Sequence, residues 1–111
     1  MEDTARVVVY ITAPNEEEAE RIARMLVDKR LAACVALVSP IRSIYRWKEE
    51  VCDEKEVLLI AKTVSAMFSS LRDAVLEAHS YEVPEIVAVP IADGESRYLQ
   101  WITDNADGGR A

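Results

Sequence analysis

The 111-residue sequence predicts an α+β domain with the ferredoxin-like, split βαβ order: β-α-β-β-α-β followed by a C-terminal helix. Three observations predict it. Four runs of strand character stand at Val7–Ala13, Cys34–Trp47, Val57–Ala61 and Ile86–Ile91. The first and third gaps between them carry apolar residues at helical spacing, so each holds a crossover helix that returns right-handedly over one sheet face. The second gap, around Glu49 and Glu50, holds only a polar reversal, which makes the second and third runs an antiparallel hairpin.

Val7–Ala13 is apolar and is stopped by Pro14, which fits a buried strand. Asn15 stands three residues before Glu18 in a capping-box arrangement, and Glu16, Glu17, Glu18 and Glu20 put negative charge at the positive end of a helix dipole. The stripe Ala19, Ile22, Ala23, Leu26 and Val27 faces the sheet, and Lys29 and Arg30 lie where terminal carbonyls attract cations. Along Cys34–Trp47, Ile41, Ser43, Tyr45 and Trp47 fall on one face and Arg42, Ile44 and Arg46 on the other, with Pro40 at a bulge or an edge. The segment from Ala33 to Trp47 would span roughly 50 Å if straight. The hairpin must therefore bend at Pro40 or project, and a projecting strand that exposes Ile41, Tyr45 and Trp47 needs a partner, which predicts oligomerisation. Val57–Ala61, apolar on both faces, is a central strand. A second helix runs from about Ser65 to His79 with Phe68, Leu71, Val75 and Ala78 on one stripe. Ile86–Ile91 follows Pro84 as the fourth strand, and Gly94 opens a short helix containing Tyr98, Leu99, Trp101 and Ile102. Residues 1–106 form one domain, and 107–111 are expected to be a disordered tail.

Composition narrows function. With 20 acidic and 13 basic residues the formal charge is −7, which argues against a nucleic-acid surface. Arg42, Arg46 and Lys48 are better read as a solvated strand face or as intersubunit ion pairs than as an RNA platform, since Val57–Ala61 carries no aromatic residue. The longest apolar runs fall short of the ~20 residues of a membrane helix. Met1-Glu2-Asp3 lacks the basic-then-apolar pattern of a leader, so a cytoplasmic protein with no membrane partner is expected. Cys34 and Cys52 are then free thiols or metal ligands before they are a disulfide.

No phosphate loop, nucleophile elbow, HExxH or paired CxxC is present, and no enzymatic activity is expected. His79 ends the second helix on its core side. It reads either as a cap that orders Ser80–Glu85 or as a ligand that joins Glu82 or Glu85 and a thiolate around copper or zinc. Cys34 reads as a packed, inert thiol. Cys52, beside Asp53 and Glu54, reads as more exposed and a poor nucleophile. Glu49, Glu50, Asp53, Glu54 and Glu56 read as a solvated acidic face.

Five segments, Glu20-Arg21-Ile22-Ala23, Leu31-Ala32-Ala33-Cys34-Val35, Ser43-Ile44-Tyr45-Arg46-Trp47, Glu56-Val57-Leu58-Leu59-Ile60-Ala61-Lys62-Thr63 and Tyr81-Glu82-Val83-Pro84-Glu85-Ile86, span nearly the whole chain. Together they resemble the CutA divalent-cation tolerance proteins. The resemblance implies a ferredoxin-like domain in a tight homotrimer similar in architecture to the PII signalling proteins. It also implies a cytoplasmic role in tolerance of copper and other divalent metal ions, through metal binding and without a settled catalytic activity. Cys34 matches the thiol of the family's AACV segment and His79 the histidine before its YEVPEI segment, so these two, with Glu82, are the candidate metal ligands. The alternative is a PII-like signalling or scaffold trimer that binds a small ligand or a protein partner. Ser80 stands where the family has a proline, which is expected to loosen His79. The reversal Lys48-Glu49-Glu50 lacks the family's glycine after the tryptophan, which is expected to alter the turn.

Overall fold

The computed structural model describes residues 5–109. Met1–Asp3, read above for a leader, lie outside them, as do Arg110 and Ala111. The elements run β1 (Arg6–Ala13), α1 (Glu16–Asp28), β2 (Cys34–Trp47), β3 (Glu50–Val64), α2 (Phe68–Ala78, entered through a 3₁₀ turn at Ser65–Met67), β4 (Ile86–Pro90) and α3 (Ser96–Asn105). The strands form one antiparallel sheet of order β2-β3-β1-β4. The predicted α+β, ferredoxin-like arrangement is therefore the observed one.

Asn15 caps α1 as its position suggests: Oδ1 accepts from the Glu18 amide at 2.8 Å. The other half of the capping box is absent, because the Glu18 carboxylate turns away from Asn15 to accept the Ser80 N–H. Helices α1 and α2 cover one sheet face, where Val7, Val9, Ile11, Val57, Leu59 and Ala61 pack with Ile22, Leu26, Leu71 and Val75. Each fully buried aliphatic side chain there contributes about 1.5–3 kcal/mol relative to exposure. A smaller cluster of Ala33, Val64, Ile102 and Ala106 seats α3. Arg6 Nε fastens that helix to β1 by donating to the Leu99 carbonyl at 3.1 Å and the Thr103 hydroxyl at 2.9 Å. Within the expected tail, Asp107 pairs with Arg30 at 2.7 Å and the Gly108 N–H donates to the Arg30 carbonyl.

β3 is longer than the sequence suggested. It has 15 residues and begins at Glu50 rather than Val57, because its acidic first half is held by pairing with β2 rather than by burial. Beyond the core the hairpin projects, and the molecule measures 44 × 25 × 23 Å. Lys48 and Glu49 make the reversal with φ of 49° and 72°, the left-handed pair that a two-residue type I′ hairpin requires. Pro40 lies both on an edge strand and at a bulge, where the β2–β3 register slips by one residue between Val38 and Ile41. That slip reverses the parity of β2. Ala36 and Val38 before it therefore share a face with Ile41, Ser43, Tyr45 and Trp47 after it.

This shared face is the one that α1 and α2 do not cover. Its centre is apolar: Val8, Tyr10, Leu58 and Ile60 are only partly buried, and Val38, Val87 and Val89 are exposed. Val57–Ala61 is central, as its two apolar faces implied, yet only one of those faces is packed within the chain.

Candidate functional site

A cleft of about 650 Å³ opens where β1 ends, between the loop after α2 and the hairpin, which lines it from Glu56 at its root to Trp47 beside its turn. Thr12 closes its floor. Ser43, Tyr45, Trp47 and Glu56 come from the hairpin face defined by the bulge, and Ser80, Tyr81, Glu82, Val83 and Glu85 come from the loop. Among the described residues no lysine or arginine lines it.

Glu56 is the deepest charge. Only 6% of it is exposed, and its Oε2 accepts the Tyr81 hydroxyl at 2.6 Å. Among the described residues Oε1 has no hydrogen-bond donor. Placing Glu56 on the solvated acidic face was therefore mistaken. It lies at the junction of ribbon and core, and Tyr81, 25 residues later, closes over it. Glu49, Glu50, Asp53 and Glu54 are exposed. Burial raises the Tyr81 phenol far above its ordinary value, and the Glu56 carboxylate adds to this. Tyr45 donates to Glu54 at 3.0 Å, and that bond, with partial desolvation, pushes its pKa up to about 12. Both phenols stay protonated donors at neutral pH.

His79 fixes the loop. It terminates α2 in an extended conformation, with its side chain fully buried. Nδ1 accepts the Tyr81 N–H at 3.0 Å, so the proton belongs on Nε2, which meets the Thr12 carbonyl at 2.7 Å. The ring packs against Tyr81 with centroids 4.8 Å apart. Ser80 does not loosen this arrangement. A proline has no N–H, whereas Ser80 donates to Glu18 Oε2 at 2.9 Å and thereby ties the loop to α1. Burial opposes the Glu18 charge, but the Ser80 backbone and hydroxyl, with His79 and Arg21 nearby, outweigh it and hold the carboxyl below its ordinary value.

The three residues singled out as metal ligands are not brought together. His79 has both nitrogens engaged behind the cleft wall, and Glu82 lies at the rim with its carboxylate 4.0 Å from Lys48 Nζ. Cys34 is opposite Lys62, four residues along β3 from Leu58, the residue paired with Thr12, and so roughly 13 Å from the cleft floor. Its sulfur is 3.8 Å from the Tyr98 hydroxyl and only partly buried. Cys52 is also partly buried, facing the same side as Tyr45. Among the described residues no three His, Cys, Asp or Glu side chains form a metal-holding group. The sequence signal for Glu56 was its place immediately before the apolar run. Tyr45 and Tyr81 carried none that separates a cleft wall from a surface.

A family model described as CutA1 divalent ion tolerance protein matches residues 7–105. The divalent-cation tolerance protein CutA of Thermus thermophilus is 51% identical over 98 residues, covering 88% of this chain and 95% of that protein. Human protein CutA is 47% identical over 93 residues, 84% of this chain, which spans about half (52%) of the human protein. The solved structure of the periplasmic divalent cation tolerance protein CutA from Archaeoglobus fulgidus superposes with a TM-score of 0.89 at 43% identity, covering 92% of this chain and 99% of that one.

Proposed function

The chain belongs to the CutA1 divalent ion tolerance family, and from that premise we propose that it acts in tolerance of divalent cations by binding them in the cleft around Glu56. The observation that carries this reading is the buried Glu56 carboxylate, which among the described residues has one oxygen unbonded, in a cleft that Glu82 and Glu85 also line and where the one ion pair is that of Glu82 with Lys48 at the rim. All the available donors are oxygens, which suits hard ions. Among first-row divalent metals copper still binds such a set most tightly. In this reading His79 holds the loop that carries Tyr81 and Glu82 and leaves the ion to the carboxylates, because each ring nitrogen already serves the protein. Titration calorimetry with Cu²⁺ and Mn²⁺ tests it. Glu56→Gln should weaken binding about tenfold or more, equal to ~1.4 kcal/mol, and Cys34→Ser should not change it. Unchanged affinity in Glu56→Gln removes the reading.

Association as a homotrimer belongs to the same proposal. It is supported by the uncovered apolar sheet face and by the edges of β2 and β4, which nothing among the described residues pairs. The free thiols of Cys34 and Cys52 suit a reducing compartment such as the cytoplasm. A second reading, a PII-like trimer that binds a small molecule, is favoured by the cleft itself. Its ~650 Å³ falls in the range of small-molecule sites and far exceeds a bare ion.

A further inference from the structure

We propose that His79 is a proton-operated catch: with a neutral ring it holds Tyr81 over Glu56, and protonation of the ring releases Tyr81 and uncovers that carboxylate. The catch consists of two consecutive backbone amides and the buried pair of side chains that accepts them. Ser80 N–H donates to Glu18 Oε2 at 2.9 Å, and Tyr81 N–H donates to His79 Nδ1 at 3.0 Å. The two acceptors are themselves 3.3 Å apart, and with Nε2–H directed at the Thr12 carbonyl no proton lies between them. A second ring proton must go to Nδ1. There it turns an acceptor into a donor, so the Tyr81 N–H loses its partner while Glu18 Oε2 gains an ion pair.

Burial makes that exchange a change of structure. The His79 side chain is fully buried and that of Glu18 is 9% exposed, so water does not stand in for either partner. Tyr81 N–H recovers a hydrogen bond only by moving away from Nδ1–H. The movement carries the Tyr81 ring, packed 4.8 Å from the imidazole by centroids, and takes its hydroxyl off Glu56. The titratable and charged groups that face the ring are Glu18 and Arg21 from α1, Tyr81 from the loop and, beyond the Tyr81 ring, Glu56 from β3. From β1 comes only the neutral Thr12 carbonyl, and on α2 itself Glu77 is exposed. Burial opposes the Glu18 charge, but Ser80, His79 and Arg21 keep its carboxyl below the ordinary value, so it stays ionised where imidazoles titrate. The ring, Glu18 and the Thr12 carbonyl lie behind the cleft wall within one chain, so the catch does not draw on the sheet face that further copies would cover.

His79 is the only histidine in the chain, so one set of imidazole signals reports on it. The test is nuclear magnetic resonance of the intact protein, without added metal, from about pH 8 to about pH 5. It reads the ring nitrogens together with hydrogen exchange at the Tyr81 amide, corrected for the intrinsic pH dependence of exchange. At the upper end the ring should carry its proton on Nε2. As it becomes imidazolium, protection at Tyr81 should fall about tenfold or more, while protection at Ile11 in the interior strand β1 should hold. Glu18→Gln keeps an acceptor for Ser80 and removes the charge, so both changes should move together to lower pH by about half a unit or more. Should that variant not fold, the parent titration alone decides. A ring that titrates with unchanged protection at Tyr81, a ring that stays neutral to the lower end, equal loss at Ile11, or an unmoved midpoint in Glu18→Gln overturns the proposal. Because no metal is added, its failure leaves the cation reading standing, and unchanged cation affinity in Glu56→Gln leaves the catch standing.

Discussion

Single hydrogen bonds decide how the loop beside the cleft is held. Glu18 sits on α1, yet its carboxylate is spent on Ser80 rather than on its own helix terminus, and Ser80 precedes the residue that covers Glu56. Hydrogen bonds to a charged acceptor contribute about 1.5–3 kcal/mol each. Glu18→Ala should therefore destabilise the protein by about 1.5–3 kcal/mol at pH 7 in urea unfolding. The pH dependence has a definite sign. The folded carboxyl lies below its ordinary value of 4.5, so its stabilisation is fully present above that pH and is lost as pH falls through the folded value. The difference between Glu18→Ala and the parent should accordingly shrink below pH 4.5. A difference that stays constant to pH 3 would assign the effect to packing.

At the scale of the element, the hairpin turn is where this chain departs from what local chemistry prefers. Lys48 and Glu49 both hold left-handed backbone, a conformation that costs an L-residue with a Cβ roughly 1–2 kcal/mol and a glycine almost nothing. The seven-pair ladder between Ile41–Trp47 and Glu50–Glu56 does not need those particular side chains in the turn, and the Arg42–Asp53 pair, with the Arg42 bond holding Asp53 below its ordinary value, sits well away from it. Glu49→Gly is expected to raise stability by about 0.5–1 kcal/mol, less than the full relief because glycine also loosens the unfolded chain. Denaturant melts of the two proteins give the answer, and a destabilised variant would mean that Glu49 makes a contact that outweighs its backbone.

For the whole molecule, the uncovered sheet face predicts assembly. A chain that leaves Val38, Val87 and Val89 exposed beside half-buried Val8, Tyr10, Leu58 and Ile60 gains by burying them against further copies, and subunit association adds to folding free energy by mass action. Sedimentation should give three times the 12.4 kDa chain mass, and the double change Val38→Lys with Val89→Lys should reduce it to the single-chain mass. A 12.4 kDa species at micromolar concentration in the parent protein would rule the trimer out.

The sequence by itself determined the order of elements, the limits of β2, the Asn15 cap and the central place of Val57–Ala61, because periodicity, capping and turn chemistry act over a few residues. Pro40 marked the bulge for the same reason. Only the tertiary structure decided which face Tyr45 and Trp47 share with Val38, since a one-residue slip in pairing is set by the partner strand and reverses every side chain beyond it. Tertiary structure also decided that Glu56 is buried, that His79 serves the loop, and that Cys34 and Glu82 stand apart from it. These depend on Tyr81, Thr12, Ser80 and Tyr98 arriving from distant parts of the chain, and burial is a property of what packs over a residue and not of the residue itself.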